Sequence, residues 1–447
     1  MASVVPRVRV VVLNYNGAGL TLECFRHLLR TEWPSDRLEL VCVDNASIDG
    51  SADAVEAEFP TVRVIRTGSN IGFPANNRAL EDLDGVDMVA LINNDAFVEP
   101  GWLAPLVRAL DADPSVGAAC PKILLAQRFV EVELVTDGFE PGDGRRLGVQ
   151  LRAAAVTNGS GIGSAHLSGG GWGRETDRSG VFEWTPPVAT IRVPVEAGRA
   201  VAGESVVLEL SAPSTTQVQL DAGAGPVVAT VGPDRATVAV VTDGSLVDVV
   251  NNVGSVVFTD GCGADRGWLQ PDDGRFDEPT DVFAWCGGAV LLRSAYLDDV
   301  GLFDERFFLY YEDTDLSWRG QRRGWRYRTV PTSVVRHLHA ATSVEGSAVF
   351  DHHVERNRLL MLVKNAGAGF VLRQFARYVL VTASYARRDL VRPVLRLRRP
   401  HGRVVRRRIG SFVSALGLLP SMLTERRALA RRENVPWSEI ETRLSER

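Results

Sequence analysis

The sequence predicts an α/β protein with a parallel sheet, an inserted β-sandwich-like domain and a helical, basic C-terminal region. Up to residue 126, apolar runs typical of strands alternate with helical repeats, which is the pattern of βαβ units and a parallel sheet. Short segments with a period of two follow up to residue 246. Beyond residue 366, helical repeats carry many arginines.

The length of 447 residues is enough for about two to three domains. The β-rich segment interrupts the α/β pattern, which resumes after it, so we expect an insertion within one α/β domain. The predicted segments are the first α/β half, the inserted β-rich domain, the second α/β half and the helical basic region: 1–126, 127–246, 247–365 and 366–447.

Composition is that of a globular protein, with 45% hydrophobic residues and a net charge of −5. The five scattered cysteines form no CxxC pair, which argues against a zinc or disulfide framework. The N-terminus lacks the pattern of a signal peptide, and no apolar run reaches the roughly 20 residues that span a bilayer. We therefore expect a cytoplasmic protein.

Strands of the first half end in polar residues. The predicted strands and the polar positions that follow them are Val8–Leu13 before Asn14, Leu38–Val43 before Asp44, Val62–Ile65 before Asn70, and Met88–Ile92 before Asn93. Ligands of open α/β sheets bind at the carboxyl ends of the strands. This arrangement favours a nucleotide site, although Asn and Asp also favour turns and helix caps.

The stretch from Met88 to Asp95 is the most informative of these. Its apolar run ends in Asn93, Asn94 and Asp95, so one carboxylate lies at the tip of a buried strand. A divalent cation prefers such oxygen ligands. The alternative is that Asp95 caps the next helix.

The middle segment predicts an antiparallel β-sandwich. Gly, Pro, Asp and Ser clusters separate its short strands. The predicted strands are Val130–Leu134, Ala189–Val195, Val206–Leu210, Gln217–Leu220 and Ala236–Val241.

The α/β pattern returns with Val247–Phe258, and a glycine-interrupted strand follows over Phe283–Arg293. A helix through Leu316 follows, for which Asp313 or Thr314 is the expected N-cap. Two short strands come next, and the second ends just before two histidines. These strands and histidines are Arg326–Val330, Ser333–Arg336, His337 and His339.

The C-terminal region is basic and amphipathic. Ten arginines between positions 387 and 408 lie between the apolar stretches Phe370–Tyr385 and Phe412–Leu423. Such a segment suits an anionic membrane surface, and solvated helices are the main alternative. Binding of nucleic acid is disfavoured, because the arginines are not interleaved with aromatic residues and no DNA-binding motif is present. We expect peripheral contact with the inner face of the plasma membrane.

Six motifs taken together resemble those of family 2 glycosyltransferases, and most nearly the bacterial rhamnosyltransferases that build cell-wall polysaccharide. The resemblance covers roughly residues 7–123 and 247–365. The motifs are Asn14-Tyr15-Asn16, Asp44-Asn45-Ala46-Ser47, Asn70-Ile71-Gly72-Phe73, Asn93-Asn94-Asp95, Gly301-Leu302-Phe303-Asp304-Glu305 and Glu312-Asp313-Thr314-Asp315. This resemblance implies a GT-A fold, an activated nucleotide sugar, a divalent metal (Mg²⁺ or Mn²⁺) and inversion at the anomeric carbon.

The resemblance also implies roles for particular residues. The metal would be held by Asp95 and His337; a core histidine is the alternative for His337, and His339 competes with it. Asn93 and Asn94 stand where the motif of the family has a further carboxylate, which can weaken metal binding. The expected nucleotide-binding residues are Asn14, Tyr15, Asp44, Asn45, Asn70, Gly72, Phe73, Asn93 and Asn94.

Asp313 matches the catalytic base of the family, with Glu312 as the main rival, while Asp315 is expected to orient the helix. Acceptor contacts are expected from Trp285, Gly287, Gly288 and Arg356, with a core tryptophan as the alternative for Trp285.

The resemblance favours rhamnose as the donor sugar and a glycan or polyprenyl-linked acceptor. The alternatives are a galactofuranosyl or other UDP-sugar transferase, and a non-catalytic carbohydrate-binding protein with a degenerate transferase core. Oligomerisation remains open, as does the role of the inserted domain.

Overall fold

A computed structural model describes most of the chain as two compact units. The described residues are 5–142, 144–157, 165–168, 172–177, 179–196, 198–338 and 347–446. The first, or α/β, unit comprises Met1–Ile123, Asn252–Arg266 and Phe276–Arg447. The second, or β, unit comprises Leu124–Asn251 and Gly267–Arg275.

The first half of the α/β unit contains parallel strands. The strands are β1 (Val8–Asn14), β2 (Leu38–Asp44), β3 (Arg63–Arg66), β4 (Met88–Asn93), β5 (Ala96–Val98) and β6 (Val116–Leu125). The helices are α1 (Ala18–Leu28), α2 (Ser51–Glu58), α3 (Asn77–Leu80) and α4 (Leu103–Ala112). β1 pairs in parallel with β2 and with β4, so that Asn14 lies opposite Asp44 and Leu13 opposite Asn93. The polar strand ends therefore meet at one edge of the sheet.

Both faces of this sheet are buried. Along β1, Val10 and Val12 belong to one apolar cluster, whereas Val11 belongs to a second cluster on the other face. Strands buried on both faces need near-continuous apolar sequence, which explains why β1 and β4 lack polar alternation.

The β unit is a sandwich of two five-stranded sheets. Its strands are β7 (Arg128–Thr136), β8 (Gln150–Val156), β9 (His166–Leu167), β10 (Arg174–Asp177), β11 (Gly180–Trp184), β12 (Val188–Val195), β13 (Ser205–Ser211), β14 (Thr216–Asp221), β15 (Val227–Val231) and β16 (Ala236–Val241). The strand orders are β10-β11-β8-β13-β16 and β15-β14-β7-β12-β9. Side chains of both sheets, among them Val132 and Leu208, form one core. The predicted β-sandwich-like domain is confirmed.

After the β unit, the chain returns to the ten-stranded sheet of the α/β unit through β17 (Val250–Asn252), β20 (Asp281–Val282), β21 (Ala289–Arg293) and β22 (Arg326–His337). Two further strands, β18 (Ser255–Val257) and β19 (Gly263–Asp265), form a separate two-stranded sheet. The helices here are α5 (Ser294–Val300) and α6 (Glu312–Arg323). β21 inserts antiparallel between β4 and β6, which makes the sheet mixed.

β22 is one strand of 12 residues, so the prediction of two short strands was wrong. Residues 327–328 pair with β20, and residues 335–337 pair with β5. Pro331 lies between these two pairings. Its missing N–H therefore interrupts neither of them, and the strand continues where the sequence pattern suggested a break.

The C-terminal region is helical, as predicted. Its helices are α7 (Ala348–Asn365), α8 (Ala368–Ala386), α9 (Arg392–Leu395), α10 (Arg403–Ala430) and α11 (Trp437–Glu441). Apolar residues of α7, α10 and α11 share one buried cluster with Trp318 of α6. Within the described residues, no helix is long and apolar enough to cross a membrane.

Candidate active site

The ends of β1 and β2 are braced by a buried amide. The Asn14 side chain donates from Nδ2 to Asp44 Oδ1 at 2.9 Å and to Ser51 Oγ at 2.7 Å. Its Oδ1 accepts a hydrogen bond from Thr21 Oγ1 at 2.7 Å. Asn14 is fully buried and both ends of its amide are engaged. Its observed contacts orient Asp44, the residue expected to bind the nucleotide base.

Asn45 organises the loop that follows β3. Its Nδ2 donates to Asn70 Oδ1 at 2.9 Å, and its Oδ1 accepts from the Ile71 N–H at 2.9 Å. Asn70 Oδ1 also accepts from the Gly72 N–H at 2.9 Å. Asn45 is buried, whereas Asn70 and Tyr15 are exposed.

Gly72 brings this loop against another. Its φ is +75°, and a Cβ at this position would lie 1.9 Å from the carbonyl oxygen of Phe308. The next residue, Phe73, donates its N–H to that same oxygen at 2.8 Å. Its ring is buried edge-on against Phe303 at 5.3 Å. The glycine is thus required for contact between two protein loops, whichever ligand lies nearby.

The side chains of Asn94 and Asp95 have different neighbours, Thr21 and His337 respectively. Asn94 is buried and donates to Thr21 Oγ1 at 3.0 Å, and a Cβ on Gly17 would lie 2.2 Å from its Nδ2. Asp95 Oδ1 lies 3.0 Å from His337 Nε2. Pairing of β5 with β22 sets His337 opposite Ala96 and so produces this proximity. His339 lies outside the described residues.

Two glycines connect Asn93 to Asp313. The Asn93 N–H donates to the carbonyl oxygen of Gly288 at 2.9 Å. The Gly287 N–H donates to Asp313 Oδ2 at 3.0 Å. The expected metal motif and the expected base therefore share one short piece of backbone.

Asp313 and Glu312 begin α6 in different surroundings. Burial raises the pKa of Asp313, and hydrogen bonds from Gly287 and Thr314 partly offset that rise. Burial and the neighbouring Asp313 charge raise the pKa of Glu312 well above its usual range. Glu312 is 5% exposed, and its Oε2 has no hydrogen-bond partner among the described residues. Asp313 is only partly buried.

The loop before α6 is strained. Phe308, Tyr310 and Tyr311 have φ of 64°, 70° and 69°, values that side chains with a Cβ rarely adopt. Tyr311 occupies the N-cap of α6 in the left-handed region, without a side-chain cap. The prediction that Asp313 or Thr314 caps this helix was therefore wrong.

Asn357 of α7 holds the strained loop in place. Its Nδ2 lies 2.8 Å from the carbonyl oxygens of Phe307, Leu309 and Tyr310. Asn357 is fully buried. Sequence reasoning missed this residue because it lies among the charged residues Glu355, Arg356 and Arg358, where a buried amide leaves no distinct signal.

Arg356, which was expected to contact the acceptor, binds the same loop. Its guanidinium donates at 3.0 Å to the carbonyl oxygens of Arg306 and Phe307, and its Nε donates to Asn357 Oδ1 at 2.8 Å. These contacts engage the Nε and one terminal nitrogen of the Arg356 guanidinium.

Trp285 is a core residue rather than an acceptor platform. It is fully buried, packs against Phe303 at 6.0 Å and lies with Nε1 3.4 Å from the Tyr296 hydroxyl. No face of the ring is open to stack on a sugar. A Cβ on Gly287 would lie 2.8 Å from the Phe73 ring, so the space beside this glycine belongs to Phe73.

Asp315 orients α6, as the sequence interpretation expected. It is fully buried and accepts hydrogen bonds from Arg319 Nε at 3.0 Å, Lys364 Nζ at 2.9 Å and Asn365 Nδ2 at 2.8 Å. Lys364 also reaches Asp304 at 2.8 Å. A carboxylate with these partners is a structural anchor and has no role as a base.

Asp95 and His337 place two potential metal ligands side by side. A carboxylate oxygen and an imidazole nitrogen 3.0 Å apart are both ligands that Mn²⁺ accepts. Within the described part of the chain, no group of three or more His, Cys, Asp or Glu side chains could hold a metal ion. Bound phosphates and water would have to complete the shell, which is the usual situation for Mg²⁺ at nucleotide sites.

A family of known proteins matches the N-terminal part of the described chain. Residues 9–138 match the glycosyl transferase family 2. An N-acetylglucosaminyl-diphospho-decaprenol L-rhamnosyltransferase of Mycobacterium tuberculosis is 40% identical over 81 residues. That match covers 17% of this chain and only 26% of the length of the relative.

Solved structures are similar at a lower level. GalNAc-T7 with UDP, GalNAc and Mn²⁺ has a TM-score of 0.46 at 13% identity, over 86% of this chain and 51% of that one. The mannosyltransferase PcManGT of Pyrobaculum calidifontis, with GDP-Man and Mn²⁺, has a TM-score of 0.39 at 15% identity, over 98% and 79%. TarS of S. aureus with UDP has a TM-score of 0.40 at 12% identity, over 98% and 90%.

Replacement of Gly72 by alanine tests the contact between the two loops. Gly68 is the matched control, because its φ is +74° but a Cβ there meets nothing within 4 Å. We expect Gly68→Ala to lower the free energy of unfolding by about 1 kcal/mol, the cost of a left-handed alanine. Gly72→Ala should cost at least about 2 kcal/mol more, because its Cβ overlaps the Phe308 carbonyl. Urea denaturation measures both, and equal losses would contradict the close approach.

Proposed function

We propose that this chain, which carries a family 2 glycosyltransferase domain over residues 9–138, is an inverting, metal-dependent glycosyltransferase. The observation that carries the proposal is the link from Asn93 through Gly288 and Gly287 to Asp313. It sets a candidate base beside the strand end that bears Asp95. Donor activation and proton removal must occur at adjacent places in such a reaction, and this link brings the two candidate groups together.

Asp313 acts as the general base. The acceptor hydroxyl loses its proton to the Asp313 carboxylate while its oxygen forms a bond to the anomeric carbon. The bond from that carbon to the diphosphate breaks, and the nucleoside diphosphate leaves with the electron pair. Attack from the face opposite the leaving group inverts the anomeric configuration.

Burial favours Asp313 over its rival. Glu312 is 5% exposed and enclosed by protein, so an acceptor hydroxyl has little access to it. Asp313 is only partly buried, and its raised pKa makes it a stronger base than an ordinary aspartate. The charge of Asp313 instead adds to the effect of burial and raises the pKa of Glu312 further.

Asp95 and His337 hold the divalent metal. When bound, Mg²⁺ or Mn²⁺ neutralises charge on the departing diphosphate. Asn94 is turned inward against Thr21, so it is not a further ligand. Asp95 thus provides the only carboxylate of the Asn93-Asn94-Asp95 motif, and the protein relies on phosphate oxygens and water for the rest of the shell.

The nucleotide lies over the ends of β1 and β2. Asp44, which Asn14 orients, accepts a hydrogen bond from the base. Tyr15 is 45% exposed beside it and offers a ring for stacking. Asn45, Asn70 and the backbone around Gly72 shape the edge of this site.

The favoured donor sugar is rhamnose, and the favoured acceptor is lipid-linked. Both inferences draw on the partial similarity to an L-rhamnosyltransferase whose name specifies a diphospho-decaprenol acceptor. A galactofuranosyl or other UDP-sugar transferase is the alternative within the same chemistry. A non-catalytic carbohydrate-binding protein would retain sugar binding without metal-dependent turnover.

Membrane contact by the C-terminal helices would bring the enzyme to such an acceptor. Large apolar side chains are exposed in this region, among them Leu380 on α8 at 69%, Leu395 on α9 at 78% and Leu397 in the turn after α9 at 98%. Arginines lie between them in sequence. Exposed apolar and basic side chains together favour the interface of an anionic bilayer.

Asp313→Asn should abolish transfer while the nucleotide sugar still binds. Loss of a general base typically costs about 10²–10⁴-fold in rate. Because burial raises the pKa of Asp313, the acidic limb of the wild-type rate profile should lie above the usual pKa of an aspartate, with activity rising as the carboxyl deprotonates. Steady-state rates across pH measure this, and Glu312→Gln is the comparison. Turnover of the asparagine variant within a few-fold of wild type would rule out Asp313.

Asp95→Asn should raise the Mn²⁺ concentration needed for donor hydrolysis by at least about tenfold, because the cation loses its carboxylate ligand. Asp111→Asn, at an exposed position on α4, is the control and should not change the metal requirement. The measurement is nucleotide-sugar hydrolysis as a function of Mn²⁺ concentration. An unchanged metal requirement in Asp95→Asn would contradict the metal assignment.

A further inference from the structure

A basic groove lies between the start of α7 and the start of α10. Its volume is about 720 Å³. The residues that line it include Val349, His352, His353, Arg403, Arg406 and Arg407. None of these residues has a place in the transfer chemistry described above.

Several cationic and polar groups in the groove have no partner. Arg403 and Arg406 are exposed, and neither forms a salt bridge within the described residues. His353 Nδ1 and Arg407 Nε are buried atoms that also lack a hydrogen-bond partner in the described part of the chain. Arg407 is otherwise paired with Asp351. An unpartnered buried polar atom costs free energy, which a bound ligand can recover.

The two helices add to the positive potential. α7 has 18 residues and α10 has 28, and the groove is lined by the first turns of both. Helix N-termini carry partial positive charge and unsatisfied N–H groups that favour phosphate. Arg403 and Arg406 lie one turn apart on α10, a spacing that lets each guanidinium contact a different phosphate group.

The surroundings of the groove are apolar. Val349 at its margin is 61% exposed, and Ile409 and Val413, which follow Arg406 along α10, are 52% and 60% exposed. A ligand that combines phosphate with hydrocarbon would satisfy both the arginines and these side chains.

The groove also contacts the catalytic loop. The ring of His353 stacks on that of Phe308, with centroids 5.3 Å apart. Phe308 belongs to the strained loop that leads into Glu312 and Asp313. A ligand held in the groove would therefore lie one side chain away from the segment that carries the proposed base.

We propose that the groove between α7 and α10 binds the phosphate groups of an amphiphilic ligand, with Arg403 and Arg406 as the principal contacts. This inference rests on the proposed function, because a lipid-linked diphosphate acceptor is one source of such phosphate. An anionic phospholipid headgroup is the other source. In either case the groove anchors phosphate near the loop before α6.

The test compares two double variants of the full chain. Arg403→Gln/Arg406→Gln removes two charges from the groove. Arg427→Gln/Arg431→Gln removes two exposed arginines at the other end of α10 and is the matched control. Isothermal titration with farnesyl diphosphate, and with farnesol for comparison, measures binding in solution. Co-sedimentation with phosphatidylcholine vesicles, with and without phosphatidylglycerol, measures headgroup binding.

Loss of two charge-assisted contacts should weaken phosphate binding by at least about tenfold in the groove variant and leave the control within about twofold. A selective loss for farnesyl diphosphate identifies a diphosphate ligand, and a selective loss only for phosphatidylglycerol vesicles identifies a headgroup. Equal behaviour of both variants in both assays would overturn the proposal.

Melting temperatures with a nucleotide sugar keep this test separate from the donor site. The groove variant should retain the stabilisation that the wild-type protein gains from the donor. If no nucleotide sugar stabilises even the wild type, the proposed function fails, while the binding of farnesyl diphosphate or vesicles still decides the role of the groove.

Discussion

Two adjacent glycines make the connection on which the candidate site depends. Gly288 accepts a hydrogen bond from the end of β4, and Gly287 donates one to Asp313 at the start of α6. A Cβ on Gly287 would lie 2.8 Å from the Phe73 ring, so a larger residue here would force one of the two to shift. The strand that leads to Asp95 and the helix that carries Asp313 come from sequence positions more than 200 residues apart. Their relative position is determined by this short segment.

The helix that carries Asp313 is held from both sides. Behind it, Asp315 is engaged by Arg319, Lys364 and Asn365 in a fully buried network. Such a network favours a single geometry, because a buried charge without its partner would cost free energy. In the loop before this helix, Asn357 Nδ2 lies 2.8 Å from the carbonyl oxygens of Phe307, Leu309 and the left-handed Tyr310. Strain of this kind persists only where surrounding structure imposes it, and it is concentrated at functional sites.

Much of the fold followed from the sequence, because strands buried on both faces and strand ends in Asn or Asp leave clear patterns. The parallel sheet, the β-sandwich and the helical C-terminal region were all predicted. The directions of individual side chains were not, because tertiary packing decides them. The Trp285 side chain lies in the core, the Asn94 side chain donates to Thr21, and the Arg356 guanidinium donates to backbone carbonyl oxygens. The role of Asn357 depends on a loop conformation that local propensity does not favour.

The proposed site for a nucleotide sugar and its metal lies at the polar ends of β1, β2 and β4. The most direct test is the melting temperature of the wild-type protein with a panel of nucleotide sugars, each with and without Mn²⁺. A ligand at 100 times its dissociation constant stabilises the folded state by about 2.7 kcal/mol. We predict that at least one nucleotide sugar raises the melting temperature and that Mn²⁺ enlarges the rise. Equal melting temperatures across the whole panel, with and without Mn²⁺, would contradict the account.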